Sequence, residues 1–377
     1  MKMTARMTAA ILTGAMLVTG MLSGCSGSAS TGASGAGAST GGGGGGAVSI
    51  GSVVYKFDDT FMSGMRDAMQ KRADALGVKI DIQDGQNDQT HENDVVATQV
   101  TQGVNVLAVN PVQADIIDPV LKSAQDAKLP IVFFNKQPSD AVMNSYDKAY
   151  YVGAKAEDSG TMMGTILVNY FKAHPEADKN GDGKVQYVLL TGENNHQDAI
   201  ARSLYSQKTL QDAGLISGFD INSWTQASPP NDCMLGNQIA NWDTNTALNI
   251  MDTWITSIGL DKIEAVIANN DDMGLGAIQA LQAAGYNKGD ASKYIPVVSV
   301  DATDKGIAAL KDGSLLGTVL NDAVNQGNAV VNLSTALAKG QEINKDNVGY
   351  DVSDGKFIWV PYQPVTLSSN GDVVYGN

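Results

Sequence analysis

Carboxylate and amide side chains follow five apolar stretches of this chain. The stretches SIGSVVYKF, PIVFF, IEAVIAN, IPVVSV and LGTVL are followed by Asp58 with Asp59, Asn135, Asn270, Asp301 and Asn321. Runs this apolar are typical of parallel strands that are buried on both faces. Because ligands of open parallel sheets bind beyond the carboxyl ends of the strands, we expect these side chains to meet in one crevice. Such a lining suits a small neutral molecule with many hydroxyl groups.

Asp59 stands beside an aromatic residue in this pattern. Adjacent residues of an extended chain point to opposite sides, so Asp58 faces away from Asp59, while Phe61 shares the side of Asp59. A carboxylate beside an aromatic face suits a sugar, which has a hydroxyl edge and an apolar C–H face. The alternative is that Asp59 caps a helix and Phe61 belongs to the core.

The segment DKNGDGKVQ has the ligand spacing of a calcium-binding loop, with Gly183 at its sixth position. The twelfth position is Leu189 where an EF-hand has Glu, and the following VQYVLL is typical of a strand rather than of a helix. The loop therefore needs a carboxylate from elsewhere, and Glu264 at the start of IEAVIA is a candidate. The alternative is a solvated turn. The oxygen ligands within the loop would come from Asp178, Asn180, Asp182, the carbonyl of Lys184, and Gln186.

A third group of polar residues, HQDAIAR, follows the strand-like VQYVLL. Asp198 and Arg202 are four residues apart and can pair on one face of a helix. The planar guanidinium of Arg202 can bridge two neighbouring hydroxyl groups. A loop position for His196 and a surface salt bridge for the other two residues are the alternatives, but the group lies where the crevice is expected.

The elements that must position these side chains alternate between strand-like and helix-like segments. Met65, Ala68, Met69 and Leu76 form a helical stripe that Gly77 ends. VKIDI then alternates apolar and polar residues, as a half-exposed strand does. No G-x-G-x-x-G follows a strand, and there is no P-loop. We therefore predict an α/β fold of doubly wound parallel sheets in two lobes.

The first 46 residues are expected to lie outside this fold. Residues 1–24 combine Lys2 and Arg6 with a short apolar core, as a signal peptide does. The motif Leu22-Ser23-Gly24-Cys25 resembles the lipobox of bacterial lipoproteins, which predicts a lipid anchor on Cys25; the alternative is an ordinary signal peptide. The Gly/Ser-rich remainder of residues 25–46 predicts a flexible tether with a span of about 25 Å.

The charge of the chain excludes polyanionic partners. The formal net charge is −15, and it falls to −17 without Lys2 and Arg6, the only charged residues among the first 46. Such a body repels nucleic acid and anionic lipid. The other thiol, Cys233, lies in SPPNDCMLGNQ, which we interpret as a loop, and it has no disulfide partner if Cys25 is lipidated.

Several motifs together resemble a known family. They are YKFDDTFM, GQNDQ, FFNKQP, SYDKAYYVG, DKNGDGKVQ, VLLTGE, HQDAIAR, IEAVIANND, VVSVDA and GTVLNDA. The chain resembles, from about residue 48 to 365, the glucose/galactose-binding branch of the type 1 periplasmic binding proteins of sugar ABC importers. Two departures are Gln197, where the family usually has Pro, and a longer segment before Trp242.

The resemblance implies a role for each residue of the site. Asp59 would receive the 4-hydroxyl of the sugar, and Phe61 and Trp242 would stack on its ring. Only the resemblance selects Asn270 from Asn269, Asn270 and Asp271. The other sugar ligands would be Asn135, His196, Asp198, Arg202, Asn270, Asp301 and Asn321. The ligands of a structural calcium ion would be Asp178, Asn180, Asp182, Lys184, Gln186 and Glu264.

The resemblance also implies the architecture and the function. Three hinge crossings would divide the chain into an N-terminal lobe of residues 47–154 and 322–355 and a C-terminal lobe of residues 155–321 and 356–377. The protein would be a monomer, anchored by lipid at the extracellular face of the cell membrane. It would capture D-glucose or D-galactose by hinge closure and deliver it to an ABC permease, without catalysis.

Three other functions are compatible with the same residues. A glycoside hydrolase would use two of Asp59, Asp198 and Asp301 as a carboxylate pair. A receptor would present the bound sugar to a chemotaxis or kinase sensor. A relative that binds ribose or another furanose is the nearest change of ligand.

Overall fold

The computed structural model describes residues 47–376, and it has the expected α/β architecture. The strands are β1 (Ser49–Val54), β2 (Lys79–Asp84), β3 (Val106–Val109), β4 (Ile131–Phe134), β5 (Ala149–Gly153), β6 (Tyr187–Thr191), β7 (Met234–Ile239), β8 (Ala265–Ala268), β9 (Val297–Val298), β10 (Thr318–Leu320), β11 (Phe357–Trp359), β12 (Gln363–Leu367) and β13 (Val373–Tyr375). The α-helices are α1 (Thr60–Leu76), α2 (Gln89–Thr101), α3 (Asp118–Asp126), α4 (Asp140–Asn144), α5 (Ala156–Ala173), α6 (Gln197–Asp212), α7 (Thr244–Ser257), α8 (Asp271–Ala283), α9 (Asp304–Lys311), α10 (Ala323–Ala338) and α11 (Lys345–Val348).

The N-terminal lobe is built on a six-stranded parallel sheet with the order β11-β5-β4-β3-β1-β2. Its central strands are apolar on both faces because each face carries a helical layer. Val54 packs into the core beneath α1 and α10, whereas the adjacent Val53 packs into the core on the side of α2 and α3. Alternate residues of one strand thus enter two different cores, as in a doubly wound sheet.

The C-terminal lobe repeats this design on a four-stranded parallel sheet with the order β7-β6-β8-β9. Val188 and Leu190 of β6 face the core of α7 and α8, and Leu189 faces the core of α5. Single bridges join β10 to the end of this sheet. β10 also pairs antiparallel with β12, and β12 with β13, which adds an antiparallel edge that the sequence pattern did not predict.

The chain crosses between the two sheets after β5, after β10 and after β11. The lobe limits that the resemblance implies stay a prediction for the first two crossings. The third differs from the expected position at residues 355/356. β11 pairs with β5 in the N-terminal sheet through Phe357–Tyr151, so the chain leaves that sheet only after Trp359.

The interpretation of SPPNDCMLGNQ as a loop is wrong for its second half. Met234–Ile239 forms β7, which pairs with β6. β7 is the edge strand of its sheet, so one flank is open and polar residues such as Asn237 and Gln238 are tolerated in it. Cys233 is a free thiol just before this strand, and it is buried beside Ser217, whose backbone N–H lies 3.4 Å from its Sγ.

The first helix forms as its apolar stripe predicts. Met65, Ala68 and Met69 are buried, whereas Leu76 is exposed at the end of α1. Gly77 ends the helix in the left-handed region at a φ of 65°, a conformation that glycine adopts without a steric penalty.

Within residues 47–376, no helix is both long and apolar enough to span a membrane. The predicted signal peptide, the lipid site at Cys25 and the tether all fall in residues 1–46, outside the described part.

A buried carboxyl group joins α2 to the end of β3. Glu92 is fully buried, accepts a hydrogen bond from the backbone N–H of Val112, and accepts a second from the Gln89 side chain at 3.2 Å. Burial raises the pKa of Glu92 from its usual 4.5 to about 7. The folded protein therefore holds a proton on this group at pH values where the unfolded chain has lost it.

This pKa predicts a pH-dependent contribution to stability. Since the folded pKa lies above the unfolded one, the contribution of Glu92 is fully present below pH 4.5 and is lost as the pH rises through 7. Glu92→Gln does not titrate, so the stability of the wild type relative to this variant should fall by up to about 3 kcal/mol between pH 4.5 and 8. Urea unfolding of both proteins across this range measures the difference, and a constant difference would contradict the prediction.

Candidate functional site

All ten side chains predicted to bind a ligand line one cavity between the two lobes, together with Tyr55 and Met62. The cavity has a volume of about 30 Å³. Its walls come from the segments that follow β1, β4, β6, β7, β8, β9 and β10, including the N-terminal turns of α1 and α6. The ten residues are Asp59, Phe61, Asn135, His196, Asp198, Arg202, Trp242, Asn270, Asp301 and Asn321.

Three of these residues also begin helices that point at the cavity. Asp59 caps α1 by accepting the backbone N–H of Met62 at 2.8 Å, and Asn270 caps α8 by accepting that of Met273 at 3.0 Å. His196 caps α6 through the N–H of Asp198. Helix capping and a place in the cavity are therefore not alternatives for Asp59, because one oxygen caps the helix while the side chain lines the cavity.

Three non-glycine residues of the site have a positive φ: Asn135 at 59°, a conformation that asparagine adopts readily, and Trp242 and Asp301, for which it is unusual. Trp242 has a φ of 63° and Asp301 has a φ of 120°. The N–H of Asp301 donates to the carbonyl of Val319 at 2.8 Å, which holds this conformation. Such strain is frequent where a side chain must be aimed at a ligand.

Arg202 is the centre of a buried charge cluster. Its Nη2 lies 3.4 Å from Oδ2 of Asp198 and 3.8 Å from Oδ1 of Asp301, and it donates to the hydroxyl of Tyr362 at 3.3 Å. Its Nη1 donates to the carbonyl of Asn269 at 2.8 Å, and its Nε is buried without a hydrogen-bond partner. Burial raises the pKa of both carboxyl groups, against the lowering effect of Arg202. The cluster offers a ligand donors and acceptors together.

His196 is neutral in this site. Its Nδ1 accepts the N–H of Asp198 at 3.2 Å, which assigns the proton to Nε2. Burial, followed by the charges of Lys136 and Arg202, lowers the pKa of His196 well below its usual value. A neutral imidazole in this tautomer can donate one hydrogen bond from Nε2.

The indole of Trp242 lies between His196 and Arg202. The ring centroids of His196 and Trp242 are 5.0 Å apart in an edge-to-face arrangement, and the guanidinium carbon of Arg202 lies 5.7 Å from the indole centroid. The indole packs against Gly192, where a Cβ atom would come within 2.1 Å of the ring. Glycine is thus required at position 192 for this indole position.

The structure separates the three polar residues at the end of β8. Asn269 accepts the N–H of Gly192 at 3.1 Å in the interior. Asp271 accepts hydrogen bonds from Ser299, Thr318 and both the N–H and hydroxyl of Thr303. Only Asn270 of the three lines the cavity.

Sequence reasoning missed Tyr55 and Met62. The hydroxyl of Tyr55 donates to Oδ2 of Asp59 at 2.7 Å and so fixes the orientation of that carboxylate. Tyr55 belongs to the apolar run SIGSVVYKF, where it looks like an ordinary strand residue. Its position one residue after the last residue of β1 was the available signal.

The predicted calcium loop meets Glu264 near the amino end of β8. The carboxylate of Asp178 accepts the N–H groups of Gly181 and Gly183 at 2.7 and 2.8 Å, and Glu264 accepts the N–H of Gln186 at 2.9 Å. The buried Oε1 of Gln186 has no hydrogen-bond partner. In the described part of the chain, no three His, Cys, Asp or Glu side chains are grouped as a metal site. The oxygen-only donor set and the unpartnered Gln186 oxygen fit a hard cation that also takes amide and carbonyl ligands.

The separation of Asn270 from Asp271 predicts different stability effects. Asp271→Ala leaves several buried hydroxyl and N–H donors without an acceptor and should destabilise the protein by about 3 kcal/mol or more. Asn270→Ala removes a helix cap and should cost about 1 kcal/mol. Urea unfolding of the two variants measures both costs. Equal losses would show that Asn270 is as much a structural residue as Asp271.

Comparison with known proteins agrees with this architecture. A family model described as a periplasmic binding protein domain matches residues 50–342. The D-galactose/methyl-galactoside binding periplasmic protein MglB of Haemophilus influenzae is 36% identical over 324 residues, which span 86% of this chain and 91% of that protein. A putative rhizopine-binding protein of Rhizobium meliloti is 30% identical over the same shares of the two chains.

Solved structures show the same fold. An ABC transporter solute binding protein from Bacillus halodurans C-125 with bound myo-inositol aligns with a TM-score of 0.68 at 25% identity, over 85% of this chain and 95% of that one. Since the family model covers most of the chain and a relative above 30% identity covers nearly all of the folded part, this chain belongs to the periplasmic binding protein family.

Proposed function

We propose that this protein captures D-galactose and D-glucose for an ABC importer by closing its two lobes around the sugar. The observation that carries the proposal is the single cavity lined by all ten predicted ligand residues. Relatives support the sugar class, since one at 36% identity is a D-galactose/methyl-galactoside binding protein and one from Salmonella typhimurium at 28% is a ribose import binding protein.

The chemistry of the cavity suits an uncharged polyol. Asp59, Asp198 and Asp301 accept hydrogen bonds, Arg202 and neutral His196 donate them, and the amides of the site do both. Phe61 and Trp242 supply apolar surfaces for the C–H faces of a pyranose. A phosphorylated sugar would add negative charge beside three carboxyl groups with a single arginine to compensate it.

Like its named relatives, the protein is a binding protein and not an enzyme. Arg202 lies within 3.8 Å of both Asp198 and Asp301. These carboxyl groups therefore serve as hydrogen-bond partners of the sugar in the proposed function. The proposed partner is an ABC permease. The closed, sugar-bound form of the protein could also present the sugar to a chemoreceptor or a sensor kinase, and this second use is compatible with the first.

We also propose the remaining features of the transport protein. The lipobox-like motif at Cys25 supports a lipid anchor that keeps the protein at the extracellular face of the cell membrane. The proposed structural calcium ion would be held by Asp178, Asn180, Asp182, Lys184, Gln186 and Glu264.

The sugar assignment predicts the outcome of a calorimetric titration with a panel of monosaccharides. D-Galactose and D-glucose should bind with micromolar Kd, about −8 kcal/mol. Ribose and disaccharides should give no comparable signal. The reason is that the two oxygens of Asp59 can accept from either an axial or an equatorial 4-hydroxyl.

Asp59→Asn provides the matched test of this assignment. It should weaken hexose binding about 10- to 100-fold, because it replaces a charged acceptor by a neutral amide. Asp58→Asn changes the adjacent, exposed carboxylate and should leave the affinity unchanged. Tight ribose binding with no response to either hexose would overturn the proposed ligand.

The calcium proposal predicts an effect on stability without an effect on affinity. Glu264 precedes β8 and Asn270 lies two residues after it, so the four residues of β8 and Asn269 separate the two sites by about 17 Å. Calcium should raise the Tm by mass action, and Glu264→Gln should lose most of that rise. The exposed Glu176→Gln, close to the same loop, is the control that should keep it. Chelation that abolishes sugar binding by a folded protein would refute the arrangement.

A further inference from the structure

Glu193 links the two lobes outside the sugar cavity. It lies in the loop after β6 of the C-terminal lobe, and its carboxylate is 3.1 Å from Nζ of Lys56 and 3.8 Å from Nζ of Lys136. Both lysines belong to the N-terminal lobe, where they follow β1 and β4. The side chains of Glu193 and Lys56 are 18% and 19% exposed, and that of Lys136 is 9% exposed. The three charges therefore meet in a partly buried contact across the cleft.

The lysines connect this contact to the wall of the sugar cavity. Nζ of Lys136 donates to the carbonyl of Val112 at 3.1 Å and lies 3.7 Å from the ring centroid of Tyr55. The hydroxyl of Tyr55 donates to Asp59, the predicted acceptor of the sugar 4-hydroxyl. Burial lowers the pKa of Lys136 to about 8, so that it stays charged at neutral pH and needs an anionic partner.

A residue of the segment before β7 holds the loop that carries Glu193. The side chain of Gln226 is buried; its Oε1 accepts the N–H of Asn195 at 2.9 Å, and its Nε2 donates to the carbonyl of Glu193 at 3.1 Å. The carbonyl of Gln226 in turn accepts from the side chain of Asn237 in β7, at 3.2 Å. Gln226 thus ties the Glu193 loop to the edge of its own sheet.

We propose that Lys56, Glu193 and Lys136 form a latch between the lobes that slows sugar release, and that Gln226 is the positioning residue of this latch. The inference rests on the proposed function, because it gives the closed, sugar-bound form an added contact. Hinge opening separates the two sheets and breaks both ion pairs, whereas sugar entry occurs before they form. The latch therefore acts on the dissociation rate constant more than on the association rate constant.

The primary test measures D-galactose binding and release by stopped-flow tryptophan fluorescence. Glu193→Gln keeps the shape of the side chain and should raise the dissociation rate constant about tenfold, with the association rate constant within about twofold of the wild type. Asp126→Asn removes an exposed ion pair within α3 and is the control that should change neither constant. An unchanged dissociation rate in a folded Glu193→Gln protein would overturn the latch.

Double variants separate the latch from a general structural effect. Lys56→Met and Gln226→Ala should each speed release in the wild-type background. Neither should speed it further when combined with Glu193→Gln, because the contact that they support is already lost. Fully additive effects would show that Lys56 and Gln226 act independently of Glu193 and would refute the proposal.

A chemical measurement distinguishes failure of the latch from failure of the sugar assignment. A carbodiimide condenses a carboxylate with an amine that touches it, so it should join Glu193 to Lys56 in the full-length protein. Mass spectrometry should find this cross-link, with a higher yield in D-galactose. If no hexose binds but the cross-link forms, the ligand is wrong and the latch stands. If hexoses bind and saturating galactose gives no cross-link, the latch is wrong and the proposed function stands.

Discussion

The orientation of the parallel strands is the constraint on which the rest of this structure depends. In both principal sheets the carboxyl ends of the strands face the cleft, so each loop that leaves a strand there starts at the same edge. The helices that follow begin at this edge too, with their unpaired N–H groups. Asp59, His196 and Asn270 satisfy some of these groups while lining the cavity. The predicted binding residues, which are far apart in the chain, thus converge because the sheets are parallel.

Burial of two carboxyl groups beside one guanidinium is a second consequence of this convergence. Asp198 lies in the first turn of α6 and Asp301 follows β9, and desolvation raises the pKa of both carboxyl groups even though Arg202 opposes the shift. The guanidinium is itself fixed by the carbonyl of Asn269 and the hydroxyl of Tyr362. Asp271, behind the cavity, is instead surrounded by hydroxyl and N–H donors. The same residue type lines the cavity at one position and supports the scaffold at a nearby one, according to the donors that surround it.

The sequence predicts those parts of the molecule that depend on local patterns. Apolar runs that are followed by Asp or Asn locate five of the twelve residues that line the cavity, and the stripe of α1 with Gly77 locates that helix. The pattern fails for β7, because an edge strand tolerates polar residues that a buried strand does not. The antiparallel pairs of β10, β12 and β13 are too short for a periodic signal. Only the resemblance predicts the place of Trp242, since its cavity position depends on a left-handed backbone and on the space at Gly192.

The contacts across the cleft differ in character from the cores of the lobes. Each lobe is held together by apolar layers on both faces of its sheet, whereas the lobes meet outside the cavity through Glu193 with its two lysines and through a hydrogen bond of 2.6 Å from Thr60 to Asp272. A large apolar contact would keep the lobes closed without a ligand and would trap any sugar that entered. Desolvation offsets much of the attraction within such largely buried ion pairs, so their net contribution is small, and in the proposed function water would solvate their charges again as the cleft opens. In the proposed function, a polar contact of this size would leave the choice between the open and closed forms to the sugar, because a ligand shifts such an equilibrium only by its differential affinity for the two forms.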